Sequence, residues 1–187
     1  MEYNQKLNAI TRIVLILTAN SYLVTKKMNI IVVSGGFDPI HSGHISYMKS
    51  AKDIGDYLIV ALNSDEWLIQ KKKKVFMNIE ERKDILLNIE CVDEVITFND
   101  DDIGSCIDAL EKIKNKYPND KVIFCNGGDR NQNNIPEMIV DGIEFKFGVG
   151  GEDKKNSSSS LLKNWKYDSE DRIWGTFYNF YDSKEVK

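Results

Sequence analysis

The chain has few of the residues that build covalent or metal-based frameworks. Its 187 residues include only three cysteines, three prolines and two histidines. Cys91, Cys106 and Cys125 are widely spaced and form no CxxC pair. Because the cysteine count is odd and scattered, a disulfide framework is not expected, and a reducing, cytoplasmic compartment is favoured. With so few histidines and no clustered cysteines, a closed zinc site is not expected either.

Long apolar runs and a large excess of one charge are also missing. No stretch is long enough to span a bilayer. The short run 13–17 follows Arg12, and no small-residue cleavage site comes after it. The net charge is −4, so the chain as a whole does not attract nucleic acid, and the lysine run 71–74 is a local exception. We therefore expect neither a membrane nor a nucleic acid as partner.

The composition is that of a chain with one hydrophobic core. Apolar residues make up 42% and aromatic residues 10%, and the length suits one domain with tails. We divide the chain into an N-terminal extension (1–27), a central domain (28–167) and an aromatic C-terminal tail (168–187). Met28 stands directly before the first predicted strand and is an alternative start. The tail and the apolar extension could supply contacts between two copies, so we expect a homodimer.

Short apolar runs alternate with helical patterns along the central domain. The predicted strands are 29–34, 57–62, 93–98, 121–125 and 143–147. The predicted helices are 43–54, 79–89, 103–117 and 157–165. This alternation predicts an α/β fold, a Rossmann-like doubly wound parallel sheet of about five strands with flanking helices. Ligands of such sheets bind beyond the carboxyl ends of the strands, where the segments 35–44, 63–65 and 126–130 would converge.

The first strand runs into a glycine-rich turn that carries both histidines. Gly35 and Gly36 allow a tight turn and a close approach to a ligand. His41 and His44 follow at the start of the first predicted helix, where backbone N–H groups and the helix dipole attract phosphate. A chance HxxH pattern, a capped helix start and half of a metal site are the alternatives. The order strand, glycine turn, HxGH, helix favours phosphate binding.

Several motifs occur in a fixed order along residues 29 to 165. They are GGFDPIHSGH, GDYLIVALNSDE, the lysine run, EERKDIL, CVDEVI, NGGD and the serine-led last helix. Together they resemble the HxGH nucleotidyltransferases of the cytidylyltransferase-like family. The GDYL…DE…QK pattern is similar to glycerol-3-phosphate cytidylyltransferases. The NSD and GGD segments are similar to the adenylyltransferase domain of ADP-heptose synthases.

The resemblance implies a reaction. A nucleoside triphosphate would react with a phosphorylated sugar or alcohol and release pyrophosphate, with Mg²⁺ held largely by the nucleotide and water. NGGD is closer to the heptose enzymes, and Glu152 stands where cytidylyltransferases carry an arginine. These two points favour ATP with a sugar such as heptose 1-phosphate. CTP with glycerol 3-phosphate is the alternative, and a nucleotide-binding module without turnover is another.

The resemblance also implies site residues. The expected catalytic residues are His41, His44, Lys71 and Arg82. The expected nucleotide-binding residues are Gly35, Gly36, Phe37, Asp38, Lys73, Gly128, Asp129, Ser157, Ser158 and Ser159. No protein metal ligand is expected.

For three of these expectations, a purely structural role is the alternative. Asp38 could cap the local backbone, the lysine run could be a solvated loop, and Arg82 could pair with Asp84 or another nearby acid. Arg130 and residues 131–137 are further candidates for contacts with the acceptor or the base.

Overall fold

Strands and helices alternate along the central part of the chain. The structure, a computed structural model, describes residues 10–15, 27–128, 130–151 and 157–171. The strands are β1 (Asn29–Gly35), β2 (Tyr57–Leu62), β3 (Glu94–Thr97), β4 (Lys121–Cys125) and β5 (Ile143–Lys146). The helices are α1 (Ser42–Lys52), α2 (Asp65–Lys72), α3 (Ile79–Leu87), α4 (Ile107–Lys116) and α5 (Ser158–Asp171), with a 3-10 helix at Pro136–Ile139. Residues 10–15 are also helical.

All five strands form one parallel sheet in the order β3-β2-β1-β4-β5. The predicted α/β fold class and all five predicted strands are confirmed. The order of the strands reverses between β1 and β4, because β2 and β3 extend the sheet on one side of β1 and β4 and β5 on the other. This boundary is the switch point at which a cleft opens beyond the carboxyl ends of the strands.

The central strands are apolar throughout because both faces of the sheet are covered. Side chains alternate between the faces along β1. Ile31 and Val33 belong to a buried cluster that includes Met48 of α1 and Leu86 of α3. On the other face, Ile30 and Val32 belong to a second cluster that includes Ala109, Leu110 and Ile113 of α4. Helices α1 and α3 therefore cover one face of the sheet, and helix α4 covers the other.

The helices differ from the prediction at two places. Helix α2, which the sequence analysis did not predict, includes Lys71 and Lys72 of the lysine run, whereas Lys73 and Lys74 follow the helix and are exposed. The helix is capped by Ser64, whose Oγ accepts from the Trp67 amide. The apolar residues of α2 are consecutive, Trp67, Leu68 and Ile69, so the sequence shows no apolar repeat at helical spacing there. The helix predicted at 103–117 begins only at Ile107, since residues 101–105 form a turn in which Gly104 has φ of 70°.

The ends of the chain fall largely outside the described residues. Helix α5 continues to Asp171 and so passes the boundary predicted at residue 167. The aromatic residues of the predicted tail, and the predicted extension apart from residues 10–15 and 27, lie outside the described ranges. No helix in the described part of the chain is both long enough and apolar enough to cross a membrane.

Candidate active site

A cavity of about 460 Å³ opens at the carboxyl ends of β1 and β4. Its walls come from the turn after β1, the starts of α1 and α5, helix α2 and the segment after β4. Among the residues predicted for the site, those in its lining are Gly35, Gly36, Phe37, His41, His44, Lys71, Gly128, Ser157, Ser158 and Ser159. The switch point of the sheet therefore brings together residues that are more than 100 positions apart in the chain.

The two histidines stack on each other at the start of α1. Their ring centroids are 3.7 Å apart with an interplanar angle of 19°, and the Phe37 ring meets His44 edge-on at 5.1 Å. The Nδ1 atoms of both rings are buried without a hydrogen-bond partner among the described residues. His41 is the N-cap of α1 but makes no side-chain cap, and the first turn has no acidic residue. This helix start can therefore receive an anion.

Both imidazoles are neutral at neutral pH in the free chain. Burial, with a smaller effect of Lys72, lowers the pKa of His41. Burial, followed by the effects of His41 and Lys72, lowers the pKa of His44 to about 3. The imidazolium form that would bind phosphate most strongly is thus disfavoured until a negative charge enters the pocket.

Lys71 and Lys72 both line the pocket that contains the histidines. The Nζ atom of Lys71 lies 4.3 Å from the centroid of the Trp67 ring, and Lys72 Nζ donates to the Asp38 carbonyl at 2.7 Å. Burial and the neighbouring Arg130 lower the pKa of Lys71. Burial lowers the pKa of Lys72 as well, with further lowering by Lys71 and Arg82 against the opposing effect of Asp38. A negatively charged chain thus concentrates mutually repelling cations in one cleft, which favours binding of a polyanion.

The second lysine of the pocket is not the predicted one. Lys73 was expected to contact the nucleotide, but it is the C-cap of α2 with φ of 67° and is not part of the pocket lining. Lys72 lines the pocket together with Lys71. The difference follows from the helix, since Trp67, Lys71 and Lys72 of α2 line the cleft, whereas Lys73 follows the last helical residue.

Asp38 stabilises the turn and does not line the pocket. Its side chain is buried, with 1% exposure. One carboxylate oxygen accepts from the Phe76 amide at 2.9 Å and the other from the Met77 amide at 2.8 Å. This is the structural alternative to nucleotide binding, with the carboxylate tying a distant loop to the turn after β1.

Arg82 lies beneath the turn after β1 and is not exposed to the pocket. Its side chain has 0% exposure and forms an ion pair with Asp65, not Asp84, at 2.5 Å. It also donates to the carbonyl groups of Gly36 at 2.7 Å and Asn63 at 3.0 Å. Arg82 was expected to be catalytic, but a direct contact with substrate does not fit this position, since Arg82 is not part of the pocket lining. Its contacts instead position the ends of β1 and β2.

Helix α5 places its N-terminus beside the same turn. Ser158 Oγ donates to the Pro39 carbonyl at 2.9 Å, and Ser157 Oγ accepts from the Ser160 amide at 3.1 Å. Ser157 is therefore an ordinary helix cap, while Ser158 links α5 to the segment just before His41. The predicted Asp129 lies outside the described residues.

Trp67, Asn126 and Glu137 also line the pocket, and of these only Trp67 lies outside the segments that the sequence predicted. Trp67 lines the cavity from α2, and a Cβ atom on Gly104 would lie only 2.0 Å from its Nε1 atom. Asn126 and Glu137 are buried in the lining, and each has an unpartnered polar atom among the described residues, Nδ2 and Oε2 respectively. Glu137 falls within the segment 131–137 predicted to contact the acceptor or base. The position of Trp67 depends on helix α2, which the sequence pattern did not reveal.

Comparisons with known proteins agree with this geometry. The sequence profile described as cytidylyltransferase-like matches residues 32–163. A glycerol-3-phosphate cytidylyltransferase of Bacillus subtilis is 48% identical over 69 residues, which cover 37% of this chain and 54% of that protein. A bifunctional protein HldE of Helicobacter hepaticus is 36% identical over 107 residues, which cover 56% of this chain and 20% of that protein. The chain thus spans about half the length of the first relative and a fifth of the second.

A solved structure shows a partial likeness. It is a lipopolysaccharide core biosynthesis protein from Thermoplasma volcanium, with a TM-score of 0.48 and 25% identity over 64% of this chain and 93% of that chain.

We predict that replacing Arg82 with lysine destabilises the fold. Lysine keeps the charge but cannot reach two strand-end carbonyls and Asp65 together, so the free energy of unfolding should fall by about 2–4 kcal/mol. Urea unfolding measures this, with Lys83→Gln on the same helix as the control. A direct phosphate contact would instead give an Arg82→Lys protein of normal stability with weakened ligand binding.

We also predict that His44 makes the free chain sensitive to acid. Its pKa is about 3 in the fold against an ordinary 6.5, so the unfolded state binds a proton first and stability is lost as pH falls from about 6.5 towards 3. His44→Asn should lose less stability than the wild type between about pH 7 and about pH 5 in urea unfolding. Equal losses in the two proteins would contradict the buried, neutral state of His44.

Proposed function

The chain belongs to the cytidylyltransferase-like family, and we propose that it is a nucleotidyltransferase. Its reaction transfers a nucleoside monophosphate from a nucleoside triphosphate, preferably ATP, to a phosphorylated sugar such as heptose 1-phosphate, and releases pyrophosphate. The observation that carries the proposal is the pair of stacked imidazoles with unpartnered Nδ1 atoms at the uncapped start of α1.

The reaction requires charge stabilisation more than a covalent nucleophile. An oxygen of the acceptor phosphate attacks the α-phosphorus, the bond from that phosphorus to the bridging oxygen breaks, and pyrophosphate leaves with the electron pair. Negative charge on the phosphoryl oxygens is stabilised by His41 and His44 as they become protonated beside phosphate, and by Lys71 and Lys72. The start of α5 supplies further backbone N–H donors, together with the Ser159 hydroxyl, for the leaving phosphates.

The proposal assigns Mg²⁺ to the triphosphate and not to protein side chains. The described residues contain no cluster of three or more His, Cys, Asp and Glu side chains that could hold a metal ion. In this proposal Mg²⁺ would be held by the nucleotide and water, and it would neutralise charge on the triphosphate oxygens.

A second pair of substrates has a specific observation in its favour. CTP and glycerol 3-phosphate are suggested by the 48% identity to a glycerol-3-phosphate cytidylyltransferase, although that match covers 69 residues. ATP and a sugar phosphate are suggested by the NGGD segment and by Glu152 in place of an arginine. The mechanism is the same in both cases, so one assay with both nucleotides separates them.

We predict that the pure protein releases pyrophosphate from ATP or CTP, with magnesium and a panel of sugar and polyol phosphates. The double variant His41→Ala/His44→Ala should lose activity by roughly 10²-fold or more, since it removes two donors aimed at the reacting phosphates. Lys112→Ala, on the exposed part of α4, serves as the control. Nucleotide binding by calorimetry without any pyrophosphate release would indicate a binding module instead of an enzyme.

We predict that the four consecutive lysines contribute unequally. Lys71→Met and Lys72→Met should each lower kcat/KM by about tenfold or more, because each removes a charge-assisted contact to phosphate from the pocket. Lys73→Met should stay within about twofold of the wild type, since Lys73 caps α2 outside the lining. A loss confined to Lys73→Met would show that the lysines are assigned in the wrong register.

A further inference from the structure

A buried carboxylate occupies part of the pocket that the proposed phosphate chemistry does not use. Glu137 lies in the 3-10 helix after β4 and is 5% exposed. Its Oε1 atom accepts from the backbone amide of Cys106 at 3.0 Å and contacts the Cys106 thiol at 3.4 Å. Its Oε2 atom is buried and has no partner in the described part of the chain. A buried carboxylate oxygen is costly without a donor, so a ligand donor is the natural partner.

The partner of Glu137, Cys106, and the helix that follows the stacked histidines lie on opposite faces of the sheet. Cys106, which holds Glu137, belongs to the core cluster on the α4 face of the sheet. Helix α1, which begins with the stacked histidines, packs on the opposite face. If the triphosphate lies between α1 and the start of α5, the Glu137 end of the cavity is left to the second substrate.

The negative charge of Glu137 limits the kinds of chemical group that its free oxygen can bind. A carboxylate repels phosphate, so its free oxygen must accept from an uncharged or positive donor. Asn126 supplies the complementary group, since its Nδ2 atom is also buried in the pocket lining and unpartnered among the described residues. One free acceptor and one free donor suit hydroxyl groups, which both donate and accept. Lys71 and Arg130 line the same cavity and can hold the acceptor's phosphate.

We propose that Glu137 is the residue that selects a hydroxyl-bearing acceptor: its Oε2 atom accepts a hydrogen bond from a hydroxyl of the sugar or polyol phosphate, while Cys106 N–H holds Oε1 in place. This inference rests on the proposed function and adds to it the group that recognises the acceptor. An acceptor without that hydroxyl leaves the buried oxygen unpaired and is rejected.

Glu137→Gln tests the inference with little change of shape. The amide oxygen can still accept from Cys106, so an NH₂ group faces the position where an acceptor is needed. KM for the acceptor used by the wild type, heptose 1-phosphate or glycerol 3-phosphate, should rise about tenfold or more. KM for the nucleotide should stay within about twofold, and Glu111→Gln on the exposed side of α4 should change neither. If Glu137→Gln fails to fold, Glu137→Asp, which keeps the charge but shortens the reach, replaces it.

An acceptor analogue separates hydroxyl recognition from a structural role. The analogue lacks one hydroxyl, as 3-hydroxypropyl phosphate does relative to glycerol 3-phosphate. Wild type should lose about tenfold or more in kcat/KM with the analogue that lacks the contacted hydroxyl, and Glu137→Gln should lose little further.

The outcomes also separate this inference from the proposed function. Wild-type turnover together with an unchanged acceptor KM in folded Glu137→Gln would overturn the inference and leave the proposed function standing. A rise in nucleotide KM alone would assign Glu137 to the base or ribose and would also overturn it. Absence of wild-type turnover with every nucleotide and acceptor would overturn both.

Discussion

The buried guanidinium of Arg82 is the interaction on which the geometry of the cleft depends. It joins the carbonyl groups that follow β1 and β2 and pairs with Asp65 at the start of α2. Asp38 reinforces the same region from the other side of the turn by holding the amides of Phe76 and Met77. Because buried charged groups remain only where their bonds are satisfied, these contacts fix the backbone from which the histidines project. Arg82, predicted to be catalytic, and Asp38, predicted to bind the nucleotide, thus both support the backbone of the site.

In contrast to these satisfied contacts, several polar atoms in the pocket lining have no hydrogen-bond partner among the described residues. The rings of His41 and His44 have unpartnered Nδ1 atoms within the described residues, and burial lowers the pKa of both. Lys71 and Arg130 repel each other across the same wall. Such an arrangement costs stability in the free protein, and in the proposed function a bound polyanion would relieve this cost by pairing with the cations and raising the histidine pKa values. We therefore expect nucleotide binding to be coupled to proton uptake.

The framework of the fold could be predicted from the sequence, whereas the assignment of individual polar side chains could not. The apolar strands, with both faces buried, carry a strong local signal, and the glycine turn with HxGH places the site at the end of β1. The Arg82–Asp65 ion pair and the position of Lys73 depend on α2, in which the apolar residues do not recur at helical spacing, and the contacts of Asp38 depend on the loop that follows α2. The role of Glu137 could not be predicted, because only the fold brings this residue to Cys106, which lies 31 residues earlier in the chain.

The central claim is that the paired imidazoles are neutral in the free chain and become charged when they hold phosphate. The chain contains only two histidines, so nuclear magnetic resonance of histidine-labelled protein reports on these rings alone. At about pH 7, we expect two neutral rings in the free protein and a shift of both towards the protonated form when magnesium nucleotide saturates the site. Rings that are already protonated without ligand, or that do not respond to saturating nucleotide, would contradict the account.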